Sequence, residues 1–317
     1  MKKNKIILSS FTILLVLLTV FLLSSFSTSN NTFNKKRSDG SEITYSLPKI
    51  PKELNFCGEV VPTYNFDVHE RLEREFIVNT YWHSLTILTL QRANRWFPII
   101  EPILEKYDIP NDFKYLAITE STLLNITSPA GAVGYWQFMK SAARDYNLEV
   151  NQEIDERYNI EKATEAACKY LLKAYEKYNS WTMAAASYNF GMNGIDRQIE
   201  RQETNNYYNL VLGEETSRYV FRVIATKVIL ENPEDYGFFI EEEELHEPLE
   251  TFEVQVDSSV KSWAEFAKSF GYNYKILKFY NPWLRENYLT NKKKKTYKIK
   301  FPVEGSIKVV PELQKKF

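Results

Sequence analysis

The chain reads as a mainly α protein that ends in a small α+β module, and three observations carry that reading. Apolar residues recur every three or four positions between residues 67 and 230, and no alternating run of length interrupts them before residue 250. Helix punctuation falls where such a pattern needs it, at Pro110, Asn159 and Pro233. Beyond residue 250 the period changes to two, at 252–256 and again at 296–302, with two short helical stretches between.

Taken in order, an uncharged run at residues 6–26 follows Lys2, Lys3 and Lys5. It predicts either a membrane-spanning signal-anchor or a cleaved signal peptide over residues 1–27, and its length favours the anchor. The lysines would stay on the cytoplasmic side, so the rest of the chain is expected to be exported and to face the cell envelope. No cysteine closes the run, which gives no support to lipid attachment. Residues 28–60, rich in Ser, Asn and Lys with Pro48 and Pro51, predict a linker.

A helical domain is expected over residues 61–240. Leu72, Phe76, Ile77 and Tyr81 share a helical stripe that continues to Leu90, with Asp67 as N-cap and Glu70 completing a capping box. Further helices are predicted at 96–107, from 112 to 120–123, at 160–178 behind Asn159, at 181–188 and at 216–230. The acidic run 241–244 marks a boundary, and residues 245–303 are expected to form a separable unit with a tail at 304–317.

Composition narrows the class. With 317 residues, 44% hydrophobic and 26% charged, the chain has room for one medium and one small globular domain. A net charge of −1 argues against nucleic acid as a partner, because phosphate binding needs a basic excess. The aromatic share of 15% suits sugar stacking as well as core packing. Cys57 and Cys168 could pair after export, but Cys168 falls mid-helix among alanines, which favours two separate thiols. His69, His83 and His246 lack ligand spacing, so no metal and no cofactor is expected.

The chemistry concentrates between Tyr115 and Phe138. Glu120 closes an apolar helical segment in which Phe113, Leu116 and Ala117 lie at helical spacing, placing its carboxylate on or beside the buried face. Burial holds the proton on such a carboxyl near neutral pH, as a general acid acting on a sugar oxygen requires. The small-residue loop Ser128-Pro129-Ala130-Gly131-Ala132 and the cluster Gly134-Tyr135-Trp136-Gln137-Phe138 follow it. Glycosidases usually pair two carboxylates. Here Asp145, Asp155 and Glu215 are candidates by nearness in sequence only, each better explained by capping or surface exposure.

Two more clusters stand downstream, Ala185-Ala186-Ser187-Tyr188-Asn189-Phe190-Gly191 and Glu215-Thr216-Ser217-Arg218-Tyr219-Val220-Phe221-Arg222-Val223. Together with Glu120-Ser121 and Gly134-Tyr135-Trp136-Gln137-Phe138, they resemble the four motifs of the lytic transglycosylases of the soluble-lytic-transglycosylase type, nearest to the membrane-bound murein transglycosylase D group. The resemblance covers about residues 67–239 and implies a lysozyme-like fold acting on peptidoglycan glycan strands; the membrane is the partner expected of the N-terminal segment. It implies Glu120 as the single general acid and base. It implies further that Ser121, Gln137, Tyr188, Asn189 and Tyr219 bind substrate, the two tyrosines stabilising charge at the anomeric centre. Tyr135-Trp136 and Ser187 depart from the usual Leu-Met and Ala, which bears on subsite preference. The strand-helix-helix-strand order of the last module resembles a degenerate LysM module, with Asp257-Ser258-Ser259 where Gly-Asp-Thr is usual; sugar binding and a purely structural role are both open to it. A goose-type hydrolytic muramidase, a non-catalytic wall-binding protein and a chitinase are the competing readings.

Overall fold

The computed structural model describes residues 45–306. The expected anchor or signal at 1–27, most of the expected linker and most of the tail lie outside the described residues. Packing begins before residue 61. A hairpin of β1 (Asn55–Phe56) and β2 (Glu59–Val60) turns through Cys57 and Gly58, both at positive φ. Phe56 is fully buried, and Leu54 and Val61 join the same core, so residues 54–60 belong to the helical domain rather than to a linker. Glu59 fixes them there, its carboxylate accepting the backbone N–H groups of Trp181 at 2.5 Å and Thr182 at 2.9 Å.

Helix α1 (Phe66–Tyr81) starts at Asn65, not at Asp67. Asp67 lies inside the first turn, where its charge suits the helix dipole and where Arg71 pairs with it at 3.7 Å. Helix α2 (His83–Lys106) joins two predicted segments and runs through Pro98 and Pro102. Each proline removes a backbone donor, but full burial of Ile100 and Leu104 on the same helix outweighs that loss. A tight turn at Asn111–Phe113 leads into α3 (Lys114–Ser121), which ends at Thr122 and Leu123 in left-handed backbone.

Then come α4 (Lys140–Asp145), α5 (Ile160–Tyr178), α6 (Trp181–Phe190), α7 (Met192–Gln202) and α8 (Glu214–Glu231). Asn159 caps α5 as its sequence predicts, accepting the N–H of Lys162 at 3.0 Å. Helix α8 buries residues on most of its circumference and packs against α1, α3 and α6, the position of a central helix. Cys168 is buried within α5, and both cysteines are free thiols.

The last module follows the predicted order: β3 (Thr251–Val256), α9 (Trp263–Ser269), α10 (Tyr274–Tyr280) and β4 (Tyr297–Pro302). The strands pair antiparallel with Phe252 opposite Phe301 and Val254 opposite Ile299. Trp263, Leu277, Ile299 and Phe301 belong to its core, which also takes in Ile154 from the helical domain. That shared residue changes the expectation of a separable unit. The described residues from Pro48 onward make one compact body.

Charge and hydrogen bonds reinforce the seam. Lys295 pairs with Glu149 and Lys300 with Glu161, while the carbonyls of Glu244, His246 and Glu247 accept from Gln91, Asn94 and Arg95 of α2 at 2.8, 3.1 and 3.0 Å. Among the described residues, no helix is long and apolar enough to cross a membrane.

Candidate active site

Glu120 occupies the last turn of α3, with Leu116 and Ala117 fully buried one turn below it. Glu120 is partly buried, and the phenol of Tyr219 on α8 donates a hydrogen bond to Oε1. Burial pushes the acid up to about 7. The Tyr219 hydrogen bond and the positive charge of Arg222 oppose that push, and the negative charge of Glu215 adds to it. A carboxyl poised there exists in both protonation states near neutral pH, which suits a group that must give and then take a proton. Burial and the Glu120 charge hold Tyr188 and Tyr219 well above the ordinary phenol range, so both remain neutral donors.

The loop after α3 is shaped by its glycines. Gly131 and Gly134 lie at positive φ, and a Cβ on Gly134 would stand 2.0 Å from the carbonyl oxygen of Arg157, so only glycine fits. Val133 and Phe138 exchange backbone hydrogen bonds at 3.1 Å across the turn. Gln137 sits at the tip with φ +48°, its amide nitrogen donating to the carbonyls of Gly134 at 2.7 Å and Ile126 at 3.2 Å. Trp136 anchors the loop from inside, fully buried, its indole N–H donating to Thr164 at 2.8 Å.

The sequence-predicted residues converge, though with different duties. Tyr219 touches Glu120 directly. Tyr188 donates to the carbonyl of Trp136 at 2.8 Å, tying α6 to the loop. Asn189 accepts from Thr216 at 2.8 Å, tying α6 to α8. Ser121 departs from expectation: it is 3% exposed, and its hydroxyl reaches the carbonyl of Tyr135 at 2.8 Å. Facing inward, it holds the loop and is not free to orient a substrate. Gln137 and Asn189 stay partly exposed.

The candidate second acids are paired or exposed. Asp155 is buried against Arg157 at 2.8 Å, Glu215 is exposed and pairs with Arg222 at 3.1 Å, and Asp145 is exposed at the end of α4. Among the described residues, no group of three or more His, Cys, Asp or Glu side chains gathers as metal ligands would.

Sequence reasoning missed the charges behind Tyr219. Glu75 of α1 is 1% exposed and accepts from Arg218 Nε at 2.7 Å; its other oxygen lies 3.6 Å from Arg222 Nε. The signal was present, since Glu75 falls within the buried stripe of Val68, Leu72 and Phe76, and Arg218 and Arg222 stand four apart beside Tyr219.

Comparison with known proteins identifies the domains. Residues 98–211 match the transglycosylase SLT domain, and residues 252–305 match the soluble lytic transglycosylase C-terminal LysM-like domain. The chain therefore carries an SLT domain followed by a LysM-like domain of the soluble-lytic-transglycosylase kind. Its curated relatives include the membrane-bound lytic murein transglycosylase D of Escherichia coli strain K12, 28% identical over 179 residues. The protein of the same name from Escherichia coli O6:H1 strain CFT073 gives the same identity over the same length. The match takes in 55% of this chain and 39% of each relative, so the chain spans about two-fifths of their length. The SLT match ends before α8, so the cluster that holds Tyr219 and Arg222 lies outside it.

Proposed function

We propose that this chain is a lytic transglycosylase that cleaves the β-1,4 bond between N-acetylmuramic acid and N-acetylglucosamine in peptidoglycan. One observation carries the reading: a half-buried Glu120 held near pH 7 beneath a phenol donor, with the candidate partner acids exposed or already paired. The protonated Glu120 gives its proton to the glycosidic oxygen, and the bond from that oxygen to the anomeric carbon breaks. Neutral Tyr188 and Tyr219 stabilise the positive charge that develops there. The Glu120 carboxylate then takes the proton of the C6 hydroxyl of N-acetylmuramic acid, and O6 bonds to the anomeric carbon. Glu120 returns to its acid form, no water is consumed, and the product ends in 1,6-anhydro-N-acetylmuramic acid.

Gln137 and Asn189 have the amides to hold N-acetyl or hydroxyl groups of the bound strand. Export and attachment to a membrane through residues 6–26 would bring the site to the wall. Mass spectrometry of fragments released from purified wall sacculi tests the reaction. The expected fragments are lighter by one water than hydrolysis products and are not reduced by borohydride. Reducing ends as the main product would assign the goose-type muramidase reaction instead. Binding to sacculi without release of fragments would leave a wall-binding protein.

A further inference from the structure

The segment between α4 and α5 lies between the loop that carries Gln137 and the C-terminal module, and it is bonded to both. On the loop side, the guanidinium of Arg157 donates through Nη1 to the carbonyl of Gly131 at 3.2 Å and to that of Phe138 at 3.1 Å, spanning the turn. Its Nε and Nη2 grip the two oxygens of Asp155 at 2.9 and 2.8 Å, and the Arg157 side chain is 9% exposed. The Arg157 carbonyl occupies the space that a side chain on Gly134 would need. Asn125 donates to the carbonyl of Tyr158 at 2.9 Å.

On the module side, Ile154 is buried in the module's own core. The N–H of Asp155 donates to the carbonyl of Trp283 at 2.9 Å, and the N–H of Arg285 donates to that of Glu153 at 2.8 Å. The Arg285 guanidinium lies 4.0 Å from the ring centre of Tyr158.

A module that served only to grip glycan would need no residue of the helical domain inside its core. We propose that Arg157 is a positioning residue for the Gly131–Phe138 turn that presents Gln137, and that the C-terminal module holds Arg157 in register by clamping Ile154 and Asp155. The proposal rests on the reading of Gln137 as substrate-facing. Arginine is required because one planar fork must satisfy a buried carboxylate while its remaining nitrogen reaches two carbonyls, and a lysine ammonium has no such geometry. The coupling runs through contiguous hydrogen bonds and packing, the physical kind that a point substitution can cut.

Hydrogen exchange on the full chain tests this without any turnover. Arg157→Lys, which keeps a charge for Asp155, and Ile154→Ala, which loosens only the clamp, are each compared with the parent. The amides of Val133, Gly134 and Phe138 should exchange about tenfold faster or more in both variants, with those of Val220 and Ile224 in α8 unchanged. Release of fragments from short soluble glycans should slow chiefly in kcat, with the alkaline limb of the pH profile in place. Unchanged protection of the turn in Arg157→Lys would overturn the positioning role. Unchanged protection in Ile154→Ala would overturn the role of the module, and a uniform rise in both regions would show general loosening in place of either. Absence of turnover in the parent would sink the transglycosylase reading and leave the exchange result standing.

Discussion

Glu120 and Gln137 are held in place by opposite constructions. Glu120 rides on a helix whose apolar face fixes its direction, and its partner Tyr219 rides on another helix packed against the first. Gln137 rides on a turn with no regular structure of its own, fixed by Gly134, by Arg157 and, through Arg157, by a module more than a hundred residues further along the chain. Packed helix faces make the acid site robust. Long-range hydrogen bonds make the turn exact but exposed to distant damage.

The sharpest test of the helical half is Glu120→Gln. Loss of the acid and base should cut fragment release by at least ~10²–10⁴-fold, read as turbidity loss of wall suspensions, with circular dichroism unchanged. The same variant carries a stability signature. Folded Glu120 keeps its proton between about 4.5 and about 7 where the unfolded chain releases it, so the parent loses stability as pH rises through that window. Glutamine has no such loss. Its unfolding free energy should exceed the parent's at pH 8 by up to about 3 kcal/mol and match it more closely at pH 4, read from denaturant melts at the two pH values.

The loop half breaks at Gly134→Ala. A Cβ 2.0 Å from a backbone oxygen, at positive φ, should cost at least about 2 kcal/mol in denaturant melts and lower activity without moving its pH limb. A variant as stable as the parent would mean that the turn yields freely.

Two substitutions around Glu120 should move the alkaline limb of the rate profile in opposite directions. Tyr219→Phe removes a donor that favours the carboxylate, so the limb should rise above about 7 while the rate falls. Glu75→Gln removes a counter-charge from Arg218 and Arg222, leaving more positive field on Glu120, so the limb should fall. The groups facing Glu120 besides these are Tyr188 on α6 and Glu215 on α8, and neither changes. A carbon-13 titration of the Glu120 carboxyl reads both shifts directly.

The smallest effect belongs to the seam. Arg285→Ala, which removes the cation over Tyr158, should cost about 0.5–2 kcal/mol and leave the pH limb where it is. A pH shift in this variant would mean that the two halves are coupled electrostatically as well as mechanically.

Much of the fold was legible because helices and short strands declare themselves within a window of a dozen residues. The stripe from Ile160 to Tyr178 with its Asn159 cap, the place of Glu120 beside Leu116 and Ala117, and the strand-helix-helix-strand order of the last module all follow from local periodicity. Where two local signals competed, the tertiary core chose. Helix α2 passes through two prolines because its buried face is worth more than the lost donors, and Asn65 precedes α1 where Asp67 was expected.

What the fold alone decided lies in contacts between residues far apart in sequence. Ser121 faces the loop, Glu75 supports the arginines behind Tyr219, Leu54 and Phe56 join the core ahead of the first helix, and Ile154 lies inside another module's core. Periodicity tells which face of an element is buried, but not which partner buries it. That choice is settled only when all the faces pack at once, because a buried polar group must find its hydrogen-bond partner wherever the chain brings one.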